Sequence, residues 1–280
     1  MAVFIRGAAV KRRLINIARG YAALALVALS LTACATGGAK KPPTGTPEPD
    51  RFLWERGTEA LNKKRWIVAR EYFRQLVDSY PQSPYRADAK LGIGDSYLGE
   101  GSAEAFVLGI NEFREFLSFY PTHKRSDYAQ FKLGMAHFYQ MRAPARDQTE
   151  TREAVRELTV FVERYPNSDL IEDGKQRLRE AKDRLGDSEF GVGQQYYRMK
   201  YYPGAIGRLK PLIESDPGYT NRDAAFYYLG ESLVAINQPA AALPYFERIV
   251  KEFEQSAYLE RAQRRVDELK ATLKAKGSPS

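Results

Sequence analysis

From Phe52 onward the apolar positions of this chain recur at helical spacing, and the same set of spacings returns five times. Pro81, Pro121, Pro166, Pro217 and Glu254 mark five turn positions. Twelve residues before each stands a small residue: Ala69, Gly109, Ala154, Ala205 and Ala242. Eight before stands a large apolar one (Phe73, Phe113, Leu158, Leu209, Phe246), and five before come Leu76, Phe116, Phe161, Leu212 and Ile249. Val77, Leu117, Val162, Ile213 and Val250 precede the anchors by four. Offsets of 4, 3 and 1 put these side chains on one face of a helix, the small residue admitting a neighbouring helix and the large ones filling the gap. Proline then prevents continuation, with Tyr80, Tyr120 and Tyr165 just before it.

Upstream, Gly57, Gly193 and Gly230 lie 24 residues before their anchors, a second place where two helices touch. Together these offsets resemble the tetratricopeptide repeat, a helical hairpin of about 34 residues that buries its apolar face by stacking on its neighbours. The predicted fold is all-α: a tetratricopeptide-repeat-like solenoid of about five hairpins. Units two and three carry their glycines early, at Gly92 and Gly134, which predicts longer turns near Glu100 to Phe106 and Arg142 to Thr151. The wide gap between Pro166 and Pro217 predicts an elongated helix over Asp169 to Leu185. It would join an N-terminal half (51–168) to a C-terminal half (169–270), with a disordered tail over 271–280.

The first 33 residues change the picture. Arg6, Lys11, Arg12, Arg13 and Arg19 stand without an acidic residue, and Tyr21 to Ala33 then form an apolar run too short to span a bilayer, which needs about 20 residues. The run ends in Leu31, Thr32, Ala33 and Cys34, a lipobox at which the thiol is acylated before cleavage. Cys34 is the only cysteine, so no intramolecular disulfide competes for it. Residues 1–33 therefore read as a lipoprotein signal peptide, and 34–50 as a lipidated N-terminus and a flexible Pro/Gly/Thr/Lys-rich tether. Its 16 residues from Ala35 to Asp50 reach at most roughly 50 Å.

Removing the signal also removes most of the excess charge. The whole chain has 43 basic and 35 acidic residues, and five of the basic ones precede Cys34. The remainder is nearly balanced, which takes away the persistent basic face that nucleic acid binding requires.

No catalytic or metal constellation stands out, and no cofactor is expected. His123 and His137 lack helix-spaced partners for zinc and read as loop or hairpin-surface residues. Gly92, Ile93 and Gly94 have no preceding strand and read as a close-packing helix position. Glu112, Glu115, Asp183, Asp187 and Glu189 read as solvated helix faces. Among 18 tyrosines, Tyr85, Tyr97 and Tyr128 fall outside the repeat register and are candidates for a concave binding face.

The lipobox, the five repeat-like units and the stretches DSYPQSPYRADA, FYPTHKRSDYAQFKLGMAHF, RDQTETREAV and RYPNSDLIEDGKQRLREAKDRLGDSEFGVGQQYYRMKYYPGAIGRL resemble the BamD (ComL) family of outer-membrane assembly lipoproteins. Arg164 to Arg208 is the most specific part, with YPNS, the DRL of Asp183 to Leu185, and paired Tyr196 and Tyr197. The resemblance implies a non-enzymatic protein on the periplasmic face of the outer membrane. Its partners would be the POTRA domains of a BamA-like insertase, unfolded outer-membrane proteins and other assembly lipoproteins. It further implies a peptide surface among Tyr85, Tyr97, Phe119, Tyr120 and Tyr128, and an insertase surface with Tyr196, Tyr197 and Arg208, the last in the first turn of its helix. Lys200, Tyr201, Tyr202 and Pro203 replace the family's glycine-containing turn. Ala35, rather than aspartate, follows the cysteine and agrees with outer-membrane sorting. A pilotin-like or Tol-Pal-associated scaffold would share the lipobox and hairpins without the Arg164 to Arg208 match. An envelope enzyme would need an acid and base paired in a cleft.

Overall fold

The computed structural model describes residues 38–277, with side chains to 275. Eleven helices and no strand occur among them. In chain order they are α1 (Pro49–Asn62), α2 (Trp66–Ser79), α3 (Arg86–Glu100), α4 (Ala103–Phe119), α5 (Ser126–Phe138), α6 (Thr149–Arg164), α7 (Ile171–Arg198), α8 (Tyr202–Ser215), α9 (Arg222–Ala235), α10 (Pro239–Glu252) and α11 (Leu259–Gly277). Each helix packs on the next, as expected of stacked hairpins that cannot bury an apolar face alone. Helices α2, α4, α6, α8 and α10 all end two residues before their turn anchor, four of which are the prolines.

The packing follows the small-and-large pattern. A Cβ on Gly57 would lie 2.5 Å from the Phe73 ring, and one on Gly230 2.6 Å from the Phe246 ring, so only glycine lets these helices meet. Units one, four and five share one turn: Lys64, Lys200 and Asn237 each take a left-handed φ, of 56°, 60° and 58°. The following N–H groups of Arg65, Tyr201 and Gln238 donate back to Ala60, Tyr196 and Leu233, closing the helix end. Lys200 thus occupies the place a glycine would take, and the turn keeps the backbone of its siblings.

Successive units are also clamped by a side-chain bond. Ser83 donates to Asp50, Ser168 to Asp127 and Ser256 to Asp223, each serine lying in the turn after a hairpin and each aspartate in the opening turn of that hairpin. Arg125 with Asp88 and Tyr219 with Asp187 replace the serine bond in units two and four.

Several sequence expectations about helix lengths and connections need correction. Unit two has no long turn: only Gly101 and Ser102 separate α3 from α4, and the extra residues lengthen the helices instead, with Ser102 capping α4 by accepting from the Ala105 N–H at 3.1 Å. In the same unit Gly94, rather than Gly92, opposes the unit's own Phe113, while Gly92 meets Phe73 of the preceding unit. Unit three does carry a long loop, residues 139–148, ordered by Gln148, whose amide donates to the carbonyls of Ala143 and Arg146. The tail from residue 271 is helical to Gly277, because α11 buries Ala262, Val266 and Leu269 on the last hairpin and so caps the stack. Finally, the tether is not free from residue 38 onward: the Ala39 N–H donates to Glu71 at 2.7 Å and the Lys40 N–H to the Tyr72 hydroxyl at 3.0 Å. Cys34 and the signal segment lie outside the described residues.

Helix α7 runs for 28 residues. Its first half packs Gly174 on Phe161 of α6, and its second half packs Gly193 on Leu209 of α8. Between them Arg179 pairs both terminal guanidinium nitrogens with the Asp216 carboxylate, tying the joining segment to the turn after α8. Beyond this point the core is one continuous cluster through α8–α11, whereas the N-terminal units hold three smaller ones.

Candidate functional site

A groove of about 410 Å³ lies between α2, α3 and α4, lined by Arg74, Val77, Asp78, Arg86, Lys90, Ile93, Glu112, Glu115 and Phe119. The packed spacing of α3 buries most of Lys90, whose ammonium surfaces here 2.9 Å from Glu115 and 5.8 Å from the Phe119 ring centre. Phe119, in the last turn of α4, is 66% exposed. Arg86 donates to the carbonyl of Val77 and to the Tyr120 hydroxyl at 3.1 Å. Burial raises the Glu112 carboxyl, opposed by the nearby Lys90 charge. The groove therefore offers three cations, acidic groups and one exposed ring, a mixture suited to the charged backbone ends and side chains of an extended segment rather than to one small apolar ligand.

The five expected aromatics divide. Phe119 forms the rim and Tyr120 stands behind it through Arg86. Tyr97 is only 5% exposed: its ring lies under Arg70 at 4.3 Å and its hydroxyl accepts from Arg74, so it supports the groove and cannot itself stack a ligand. Tyr85 packs elsewhere, stacked on Trp54 with ring centres 6.0 Å apart. Tyr128 belongs to a polar cluster in which its hydroxyl donates to Asp95 at 2.8 Å and Arg125 covers its ring. Burial raises both members of that pair, Lys132 partly offsetting it for Asp95. Arg74, Arg86 and Lys90 were not singled out from sequence, and Glu112, expected on a solvated helix face, is half-buried here. The one signal for them was a lysine within the most continuously buried stretch of the chain, Ala89 to Gly94.

The C-terminal candidates sit on two clefts of α7. The first, about 350 Å³, is walled by α7 and α8 and includes Lys182, Leu185, Glu189, Gly207, Arg208 and Pro211. Arg208 stands at the seventh position of α8, in its second turn rather than its first, because the helix begins at Tyr202 with Pro203 in its opening turn. Its Nη1 lies 3.2 Å from Glu189. The second cleft, about 560 Å³, lies between the 139–148 loop and α7 and is mainly apolar, with Pro144, Ala145, Val192 and Tyr196. Tyr196 thus faces a cleft, edge-on to the exposed Tyr201 at 5.6 Å. Tyr197 does not: it packs against Tyr202 and Tyr228 in the seam of units four and five, where burial raises its hydroxyl.

His123 lies in the turn after α4, against Phe116. His137, expected on the surface, is 5% exposed, with Nδ1 2.7 Å from Glu150 and Arg114 beyond the other nitrogen. Among the described residues no group of three His, Cys, Asp or Glu side chains is placed to hold a metal ion, and no helix is long and apolar enough to cross a membrane.

With this geometry in view, comparison with known proteins is specific. Residues 47–242 match the family model YfiO, described as "Outer membrane lipoprotein". A relative from Caulobacter vibrioides named "Outer membrane protein assembly factor BamD" is 32% identical over 216 residues, covering 76% of this chain and 69% of its own. Relatives of the same name from Xylella fastidiosa and Neisseria gonorrhoeae are 23% and 24% identical, the latter over 84% of this chain and 91% of its own. The match takes in nine complete hairpin helices, the groove under Phe119 and the α7–α8 cleft, and the chain belongs to the YfiO family of outer membrane lipoproteins.

Proposed function

We propose that the protein is an outer-membrane-anchored periplasmic lipoprotein of the barrel-assembly machinery, acylated at Cys34, that binds a BamA-like insertase and receives unfolded outer-membrane proteins. The observation that carries the reading is the pairing of two separate clefts, one among the N-terminal units and one where α7 meets α8, in a chain of this family. The N-terminal groove takes an extended client segment: Phe119 supplies an apolar face, while Arg74, Arg86 and Lys90 hold carboxylates or backbone carbonyls. The α7–α8 cleft docks on a POTRA domain, with Arg208 exchanging Glu189 for a carboxylate of the partner in a bidentate pair. Tyr196 extends this surface. The protein acts by holding its partners together, without a catalytic group or cofactor, and other assembly lipoproteins join the same scaffold.

The test is to tag the C-terminus, solubilise the envelope in mild detergent and identify what co-purifies. Recovery of a barrel protein with repeated periplasmic domains, lost on Arg208→Glu, supports the assignment. Recovery of a secretin or of Pal without that barrel replaces it with a scaffold of another envelope system.

A further inference from the structure

The turn between α1 and α2 combines features that the insertase and client surfaces do not use. It presents Lys63, Lys64 and Arg65 in succession, all exposed, followed by Ile67 at 63% exposure. Lys63 is engaged by Glu59 at 2.6 Å, and the second oxygen of Glu59 by Arg56, so Glu59 is already neutralised, while the other nearby carboxylate, Glu71, accepts from the Ala39 N–H. Lys64 and Arg65 have no ion pair among the described residues. Lys40 and Lys41 add two more exposed cations.

The segment before α1 brings this turn close to the N-terminus. Its Ala39 N–H is held by Glu71, which lies one helical turn along the same face of α2 from Ile67, about 6 Å away along the axis. Only three residues lie between Cys34 and Gly38, so the acylated residue, four chain steps away, reaches no farther than roughly 14 Å from the docked segment. An acyl chain on Cys34 fixes that residue at the bilayer surface. The long standoff that a free tether to Asp50 would have allowed is therefore absent.

We propose that the α1–α2 turn is a membrane-contact patch, docking on an anionic phospholipid surface through Lys64, Arg65, Lys40 and Lys41, with Ile67 entering the headgroup layer. The inference rests on the acylation of Cys34 proposed above. Basic residues beside a lipid anchor add a second, salt-sensitive attraction to acidic headgroups, and an exposed apolar side chain among them suits the interface. Contact at this one end of the solenoid would set the angle at which the stack, and both clefts, stand from the membrane.

The test uses the acylated mature chain on vesicles of phosphatidylethanolamine and phosphatidylglycerol whose acyl chains carry bromine. The chain has two tryptophans, and Trp54→Phe leaves Trp66, the first residue of α2, as the only reporter. Flotation reads the anchor and quenching of Trp66 reads the patch. Expected are flotation, strong quenching, and loss of most of that quenching in Lys64→Asn/Arg65→Gln with flotation retained. Asparagine tolerates the left-handed backbone at position 64, and each cation removed weakens engagement about fivefold. Flotation without quenching, or quenching unchanged in the double variant, overturns the patch and leaves the anchor standing. A chain that fails to float overturns the anchor and the patch with it. If Trp54→Phe perturbs folding, a fluorophore on Ile67→Cys, the sole free thiol once Cys34 is acylated, gives the same readout.

Discussion

Arg208 on α8 reaches back to Glu189 on α7, its Nη1 3.2 Å from Oε2. The two side chains are 47% and 50% exposed, so water and salt screen the pair and the arginine is free to change partners. Arg208→Ala is expected to change stability by no more than about 0.5 kcal/mol, while Arg208→Glu sets a second exposed carboxylate beside Glu189 and against the carboxylate proposed for the partner. The expected result is an unchanged melting curve with insertase binding weakened at least tenfold for Arg208→Glu, measured by titration with isolated POTRA domains. Unweakened binding removes Arg208 from the docking surface.

Phe119 should separate function from stability in the same way. Its ring is mostly in solvent, so Phe119→Ala costs the fold less than about 1 kcal/mol, far below the roughly 3 to 5 kcal/mol of a buried phenylalanine. Fluorescence anisotropy with a labelled peptide from the end of a barrel protein is expected to show weakened binding for Phe119→Ala. Tyr85→Phe, altering a ring stacked away from the groove, should bind as the parent does.

Asp216 gives the protein an acid limit at its joining helix. The Arg179 hydrogen bonds hold its carboxyl below the usual aspartate range, with the Gly218 N–H adding to the effect. Because the folded value is depressed, the unfolded chain binds the proton first. The contribution is complete above the unfolded value of about 3.9 and is lost as pH falls through the folded one. Asp216→Asn is expected to lower stability by about 1 kcal/mol at neutral pH and to flatten this part of the acid dependence. Urea unfolding from about pH 6 to pH 3 checks both, and parallel curves for parent and variant would contradict the assignment.

Arg265 pairs through Nε and Nη2 with Glu231, at 2.6 and 2.7 Å, and so fastens α11 to α9. Glu231 is 8% exposed and loses its counter-charge in Arg265→Ala. Removing the partner of a buried charge costs roughly 3 kcal/mol or more; with Arg265 itself partly in water, about 2 kcal/mol is expected. Hydrogen exchange should show α11 opening before the rest of the C-terminal core. Glu231→Gln combined with Arg265→Ala should recover part of the loss, since no buried charge remains.

The helix glycines predict opposite signs. Gly230→Ala drives a methyl to 2.6 Å from Phe246 and should cost about 1 to 3 kcal/mol. Gly207→Ala and Gly191→Ala meet nothing within 4 Å and should stabilise by about 0.5 to 1 kcal/mol. Thermal unfolding of the three variants distinguishes them. Stabilisation by Gly230→Ala would mean that α9 and α10 pack less closely than described.

Features that depend only on neighbours along the chain were legible before any packing was known. The 4, 3 and 1 spacing of Phe73, Leu76 and Val77 and its repeats is a property of helix periodicity, and Pro81, Pro121, Pro166 and Pro217 end helices by their own chemistry, so five hairpins and their ends were legible. The motif over Arg164 to Arg208 likewise pointed to the family that the comparison found. How the extra residues of unit two are absorbed was settled by contacts between helices, since a longer helix and a longer turn are separated by the packing of Gly94 on Phe113. The same contacts select which aromatics line a cleft: Tyr97 and Tyr128 lie outside the repeat register, yet one is buried beneath Arg70 and Arg74 and the other is held by Asp95. Lys90 and His137 were hidden for the same reason. A polar side chain among buried neighbours is placed by partners on other helices, Glu115 and Glu150 here, and that meeting exists only once the hairpins have stacked.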